Sequence, residues 1–89
     1  MYESDEDRLD AAERAAEGNN PRAAAGAFSA IARDREAGDE VRLAAAEQLA
    51  DVDPHAAAEA FTAIARDREV GDEARRTAAG HRTAFEPSA

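Results

Sequence analysis

The sequence predicts an all-α protein, a short right-handed α-solenoid of about five antiparallel helices with a 33-residue repeat. Three observations predict it. Pro21 to Glu36 reads PRAAAGAFSAIARDRE and Pro54 to Glu69 reads PHAAAEAFTAIARDRE, with every apolar position in register. The same shift carries Gly38-Asp39-Glu40-Val41-Arg42 onto Gly71-Asp72-Glu73-Ala74-Arg75, so the repeat runs past one helix into the next. Most of the 44% hydrophobic content is alanine, the best helix former and small enough to let helices approach closely. A period of this length marks stacked supersecondary units, none of which buries its apolar face alone.

The elements follow in order, each bounded by residues with a physical reason to stand there. The first helix, about residues 4–17, has Ser4 as its N-cap, whose side-chain oxygen can accept from a free first-turn amide. Its run Arg8-Leu9-Asp10-Ala11-Ala12-Glu13 aligns with Arg42-Leu43-Ala44-Ala45-Ala46-Glu47 as a weaker third copy, with one extra loop residue before Pro21. Leu9, Ala12 and Ala16 keep the apolar side, while Asp7 takes the place of Val41. The second helix, about 21–36, is capped by Asn20 and has Pro21 at its first position, where a missing N–H costs nothing. Ala24, Phe28, Ile31 and the stem of Arg35 share one stripe.

Gly38 and Gly71 suit the left-handed residue that ends a helix. Asp39 then caps a third helix, about 39–51, that is apolar on two sides: Val41, Ala45, Leu49 and Val52 on one, Leu43, Ala46 and Ala50 on the other. Such a helix has neighbours on both sides. The fourth, about 54–69, has Asp53 as cap, Pro54 at its first position, and Ala57, Phe61, Ile64 and the stem of Arg68 as its stripe. Arg33, Arg35, Arg66 and Arg68 crowd the last turns of the second and fourth helices and complement their negative dipole ends. The fifth, about 72–85, is capped by Asp72 and keeps Ala74, Ala78 and Phe85. It places Arg76 and Thr83 where the third helix has Leu43 and Ala50, and Gly80 where it has Glu47, so its outer side is expected to face water as a terminal repeat does. Residues 1–89 form one domain, with 86–89 expected to be a flexible tail.

Composition bounds what this stack can do. Three Leu, two Ile, three Val and three Phe are all the large aliphatic residues and phenylalanines in 89, a poor supply for a core at a net charge of -9. Stability is therefore marginal, and a second copy or a partner would extend the buried surface. Every basic residue is Arg. The net charge and a pI near 4.6 argue against nucleic acid and anionic membranes and favour a partner with a basic segment. There is no Cys, so disulfides, thiolate metal sites and cysteine nucleophiles are excluded. No apolar run approaches a membrane span, and the acidic start at Glu3, Asp5, Glu6 and Asp7 is the opposite of a signal peptide, so a soluble cytoplasmic protein is expected.

Nothing in the residues points to catalysis. His55 and His81 lack HExxH or any paired-His spacing, which argues against zinc and for exposed helix positions. Asp34 and Asp67 recur in identical RDRE segments, but each is flanked by Arg at what reads as a solvated helix end, without a pocket to raise its pKa. No phosphate loop or nucleophile elbow occurs, and no cofactor is called for. The expectation is a protein that is not an enzyme.

The run Asp39-Glu40-Val41-Arg42-Leu43-Ala44-Ala45-Ala46-Glu47-Gln48-Leu49 resembles the second helix of HEAT-like repeats, in which a Val-Arg pair follows an acidic turn and precedes an Ala-rich, Leu-terminated helix. The likeness covers about residues 4 to 85 and is specific only at 39–49, since Asp72 to Arg82 keeps the Asp and Arg75 but loses the Val and the Leu. Ala57, Phe61 and Ile64 also look like the second helix of a tetratricopeptide repeat, although that family's Gly and Tyr positions are unmatched and the unit is a residue short. Both families stack helical hairpins, and the resemblance implies scaffolding or partner binding.

Two sets of residues stand out as sites. Arg8, Arg42 and Arg75 share one repeat position and are expected to form a structural ladder. The HEAT-like resemblance implies contacts from these arginines to acidic turn residues, here Glu36, Asp39, Glu69 or Asp72. Glu13 and Glu47 share another repeat position, and Glu17 and Asp51 a third one turn further on. These four are expected to form an acidic patch for a basic partner, against the plainer alternative of a solvated helix face. The leading functional expectation is a small non-catalytic protein–protein interaction or adaptor module, with homo-oligomerisation as one source of extra burial. The alternative is an acidic mimic of DNA that blocks a basic partner.

Overall fold

Five helices make up most of the described residues: α1 (Asp5–Glu17), α2 (Pro21–Arg33), α3 (Asp39–Val52), α4 (Pro54–Arg66) and α5 (Asp72–Phe85). The computed structural model describes residues 5–18 and 20–85, with side chains over 6–18 and 20–81. Ser4 as a cap, the packing of Thr83 and Phe85, and the tail at 86–89 lie outside the described residues. No strand is present among them, and none of these helices is long and apolar enough to cross a membrane.

The starts of α2 and α4 are local events. Asn20 Oδ1 accepts from the Ala23 amide at 3.3 Å, and Asp53 Oδ1 from the Ala56 amide at 3.2 Å. A proline follows each cap at the first turn. Each cap satisfies one of the donors that a helix start leaves free.

The ends differ from the expectation drawn from the sequence. α2 and α4 stop at Arg33 and Arg66, three residues before 36 and 69. At Asp34 and Asp67 the backbone becomes extended, with φ/ψ of -75/108° and -83/113°. Each carboxylate then accepts from the amide two residues on, Glu36 at 2.9 Å and Glu69 at 3.0 Å. Each Asp carbonyl accepts from the amide three residues on, that of Ala37 at 3.1 Å and of Val70 at 3.2 Å. This is an aspartate closing its own turn, which competes with helix propagation. The turn brings Ala37 and Val70 into buried positions. It also carries Arg35 and Arg68 off their helices, and both are exposed, so their stems do not extend the apolar stripes.

The glycines change role in consequence. Neither Gly38 nor Gly71 lies in the left-handed region, and Gly38 is extended at φ/ψ -64/150° as the N-cap of α3. The carbonyls of Gly38 and Gly71 accept the first helical bonds of α3 and α5, from Arg42 and Arg75 at 3.0 Å each. Asp39 and Asp72 are therefore first helical residues rather than caps, placed to favour the positive end of the helix dipole.

Consecutive helices pack on one another, α2 also packs on α4, and α1 and α5 each touch α3. This places α2 and α4 in one layer and α1, α3 and α5 in another. The Cα extents are 38 × 28 × 13 Å. The shortest of these matches two helices of ~2.3 Å Cα radius with axes about 8–10 Å apart. Between the layers lie Ala24, Phe28 and Ile31 of α2, Ala57, Ala60, Phe61 and Ile64 of α4, and Ala45, Ala46 and Leu49 of α3, joined by Ala12 and Ala78. Phe28, Phe61, Leu49 and Ile64 are the largest side chains fully enclosed. α3 is covered from both sides, as its two apolar stripes require.

Candidate functional site

The repeated arginines are tied to the aspartate turns. Arg42 is buried: its Nε donates to the Ala32 carbonyl at 2.9 Å and its Nη1 to Asp67 Oδ2 at 2.9 Å. Arg8 Nη1 donates to Asp34 Oδ2 at 2.6 Å. So each arginine on one helix reaches the turn that ends the next helix, and Asp34 and Asp67, 33 residues apart, are its anchors. Asp67 is itself buried, which corrects the sequence reading of it as ending a solvated helix, while Asp34 is partly exposed. Arg75 instead donates to Asp72 on its own helix. Of the four acidic partners named from the sequence, Asp72 alone meets a ladder arginine among the described residues.

Both turn carboxylates are held below the ordinary Asp value. For Asp34 the main cause is the hydrogen bond from Arg8, followed by the Glu36 amide. For Asp67 it is the Glu69 amide, followed by Arg42. Desolvation opposes both shifts and is outweighed. A carboxylate pushed toward its charged form in this way is a structural anion. It is the wrong state for a general acid near neutrality.

A second tie joins α1, α3 and α5. Gln48 Nε2 donates to Glu13 Oε1 at 2.7 Å, and one repeat on His81 Nε2 lies 3.3 Å from Glu47 Oε1. His81 also stacks on Phe61 with ring centroids 4.8 Å apart and planes at 15°. It is thus a half-buried packing residue rather than the exposed one its spacing suggested, while His55 is exposed beside Glu59. The expected acidic patch divides accordingly. Glu13 and Glu47 are engaged between helices, and Glu17 and Asp51 stand exposed near the C-terminal ends of α1 and α3.

Spacing alone did not point to the groove at the other end of this layer. It is about 510 Å³ in volume, between the first turns of α3 and α5, lined by the half-buried Leu43 and Ala74, with Asp39, Glu40, Asp72, Glu73 and Thr77 around them. Asp39 Oδ2 accepts from the Gly71 amide at 3.0 Å and fixes the two helix starts together. Asp72, although exposed, is paired with Arg75, which leaves Glu40 and Glu73 as the exposed rim carboxylates that meet no arginine among the described residues. The signal for this groove was in the sequence as the recurring Gly-Asp-Glu, read there only as a helix start. An apolar floor with anionic edges can hold the methylene stem of an Arg or Lys while its charged head meets a carboxylate.

Comparison with protein-family models, curated proteins and solved structures returns no match for this chain.

Proposed function

We propose that the chain is a short right-handed α-solenoid of HEAT-like repeats that works without catalysis, as an adaptor receiving a basic segment of another protein on the α1–α3–α5 layer. The observation that carries this reading is the groove between α3 and α5, where Leu43 and Ala74 lie beneath the exposed Glu40 and Glu73. The exposed Glu17 and Asp51 extend the negative field along the same layer, and the net charge of -9 steers cationic partners toward it. The repeat reading rests on the recurring aspartate turns and on the Arg8–Asp34 and Arg42–Asp67 ties.

The test is affinity purification from the native host with identification by mass spectrometry, repeated with Glu40→Gln/Glu73→Gln and with Glu17→Gln/Asp51→Asn. A partner with a basic segment should be captured by the parent chain, lost with the first pair and weakened with the second, and should elute as salt rises. Capture undiminished by both pairs refutes the assignment of this layer. A partner that is a DNA-binding protein, displaced by DNA, would instead favour the blocking role.

A further inference from the structure

Among the described residues, no further helix covers the end of the stack formed by α4 and α5, where the counterparts of positions buried deeper in the stack are open. Three pairs of positions 33 residues apart show it. Ala32 and Ala46 are fully buried, whereas Ala65 and Ala79 are only half-buried. The Arg42 side chain is 3% exposed and the Arg75 side chain 35%. Where Arg42 Nε donates to the Ala32 carbonyl, the buried Nε of Arg75 has no hydrogen-bond partner among the described residues. Its Nη2 is turned back onto the exposed Asp72. Ala65, Asp72, Arg75, Arg76 and Ala79 line a groove of about 410 Å³ along this face.

We propose that this groove docks an α-helix of a partner protein that carries small residues on its inner face and an Asp or Glu just past its last turn. The template is internal: α4 lies over α2 and α3 in that way, delivering Asp67 from its terminal turn to Arg42. The docked carboxylate takes Nη of Arg75 from Asp72, while the helix covers Ala65 and Ala79. Charge selects the occupant. Arg75 and Arg76 outweigh Asp72 in the lining and make this a locally cationic face, so it attracts an acidic helix end. A second copy is a poor occupant, because both of its turn carboxylates are already held, Asp34 by Arg8 and Asp67 by Arg42. This surface shares only Asp72 with the lining of the α3–α5 groove, and it is tested apart from the proposed function by variants at Arg75 and Ala79 that leave Glu40 and Glu73 in place.

The probe is a synthetic, end-blocked peptide of residues 53–70, which contains a cap, the helix and the aspartate turn, added to the full 89-residue chain labelled for NMR. Saturable shifts should appear at the amides of Ala65, Arg75 and Ala79 and leave those of α1 unmoved. The same peptide with Asp67→Asn should bind at least about tenfold more weakly, since a charge-assisted hydrogen bond is lost. Arg75→Gln in the protein should give a similar loss, not additive with the first. Ala79→Glu, at a half-buried position, should block binding with helix content unchanged, which covers the case of a poorly folded Arg75 variant. Shifts elsewhere, or equal binding of the Asn peptide, overturn the proposal. So does self-association without peptide that Ala79→Glu abolishes, since the occupant would then be a second copy.

Discussion

Replacing Phe61 with Ala is the most demanding test of the packing. Phe61 is fully enclosed and its ring stacks on His81. Truncation of a buried Phe costs about 3–5 kcal/mol through lost transfer energy and the cavity left behind. The aromatic stack accounts for about 0.5–1.5 kcal/mol of interaction that Ala cannot replace. A chain of 89 residues has a total stability on the order of 4–13 kcal/mol, so Phe61→Ala removes a large share of it or all of it. At about 4–8 °C per kcal/mol, the melting temperature should fall by at least about 12 °C. Urea titration followed by far-UV circular dichroism, with thermal melts alongside, measures this. Phe61→Leu serves as the companion, since it keeps most of the volume and should retain far more stability. If Phe61→Ala cost less than about 1 kcal/mol, the ring would not be enclosed between two layers, and the packing argument would fail with it.

Three further outcomes are expected. The pKa values of Asp34 and Asp67 are lowered in the folded chain, so the stability they contribute is fully present above the unfolded-state value near 3.8 and drains away as pH falls through the lower folded values. A pH series of urea midpoints should show this loss below about pH 4, and Asp67→Asn should flatten it while lowering the plateau. Arg42→Ala should lower the urea midpoint far more than Arg75→Ala, because only the first strands a buried carbonyl and a buried carboxylate; equal effects would contradict the difference in their surroundings. Asn20→Ala should cost about 0.5–2 kcal/mol by freeing the Ala23 amide, whereas Asn20→Asp should be close to neutral in the same titration.

The helices were legible because their signals are local. Asn20-Pro21 and Asp53-Pro54 start a helix through atoms within three residues, and the period of Ala24, Phe28 and Ile31 fixes the buried side whatever lies opposite. The helix ends were not legible. RDRE reads as a favourable last turn, whereas each aspartate closes a turn of its own and has its carboxylate held from outside as well, by Arg8 or Arg42 about twenty-five residues away. The surroundings of Glu13, Glu17, Glu47 and Asp51 were only partly legible for the same reason. Shared repeat positions grouped Glu13 with Glu47, but that Gln48 and His81 would engage them depends on how helices of one layer approach each other.

The amino-acid order by itself therefore determined the number of helices, the starts of α2 and α4, and the Ala, Phe and Ile positions of those two helices that leave water, since caps, proline and apolar period act over one or two turns. Tertiary structure alone decided which charge meets which. It made Asp67 a buried partner of Arg42, left Arg75 Nε without a hydrogen-bond partner among the described residues, and opened a groove between the starts of α3 and α5. Charge pairing across layers depends on separations of a few ångströms between distant segments, and a sequence does not carry those distances.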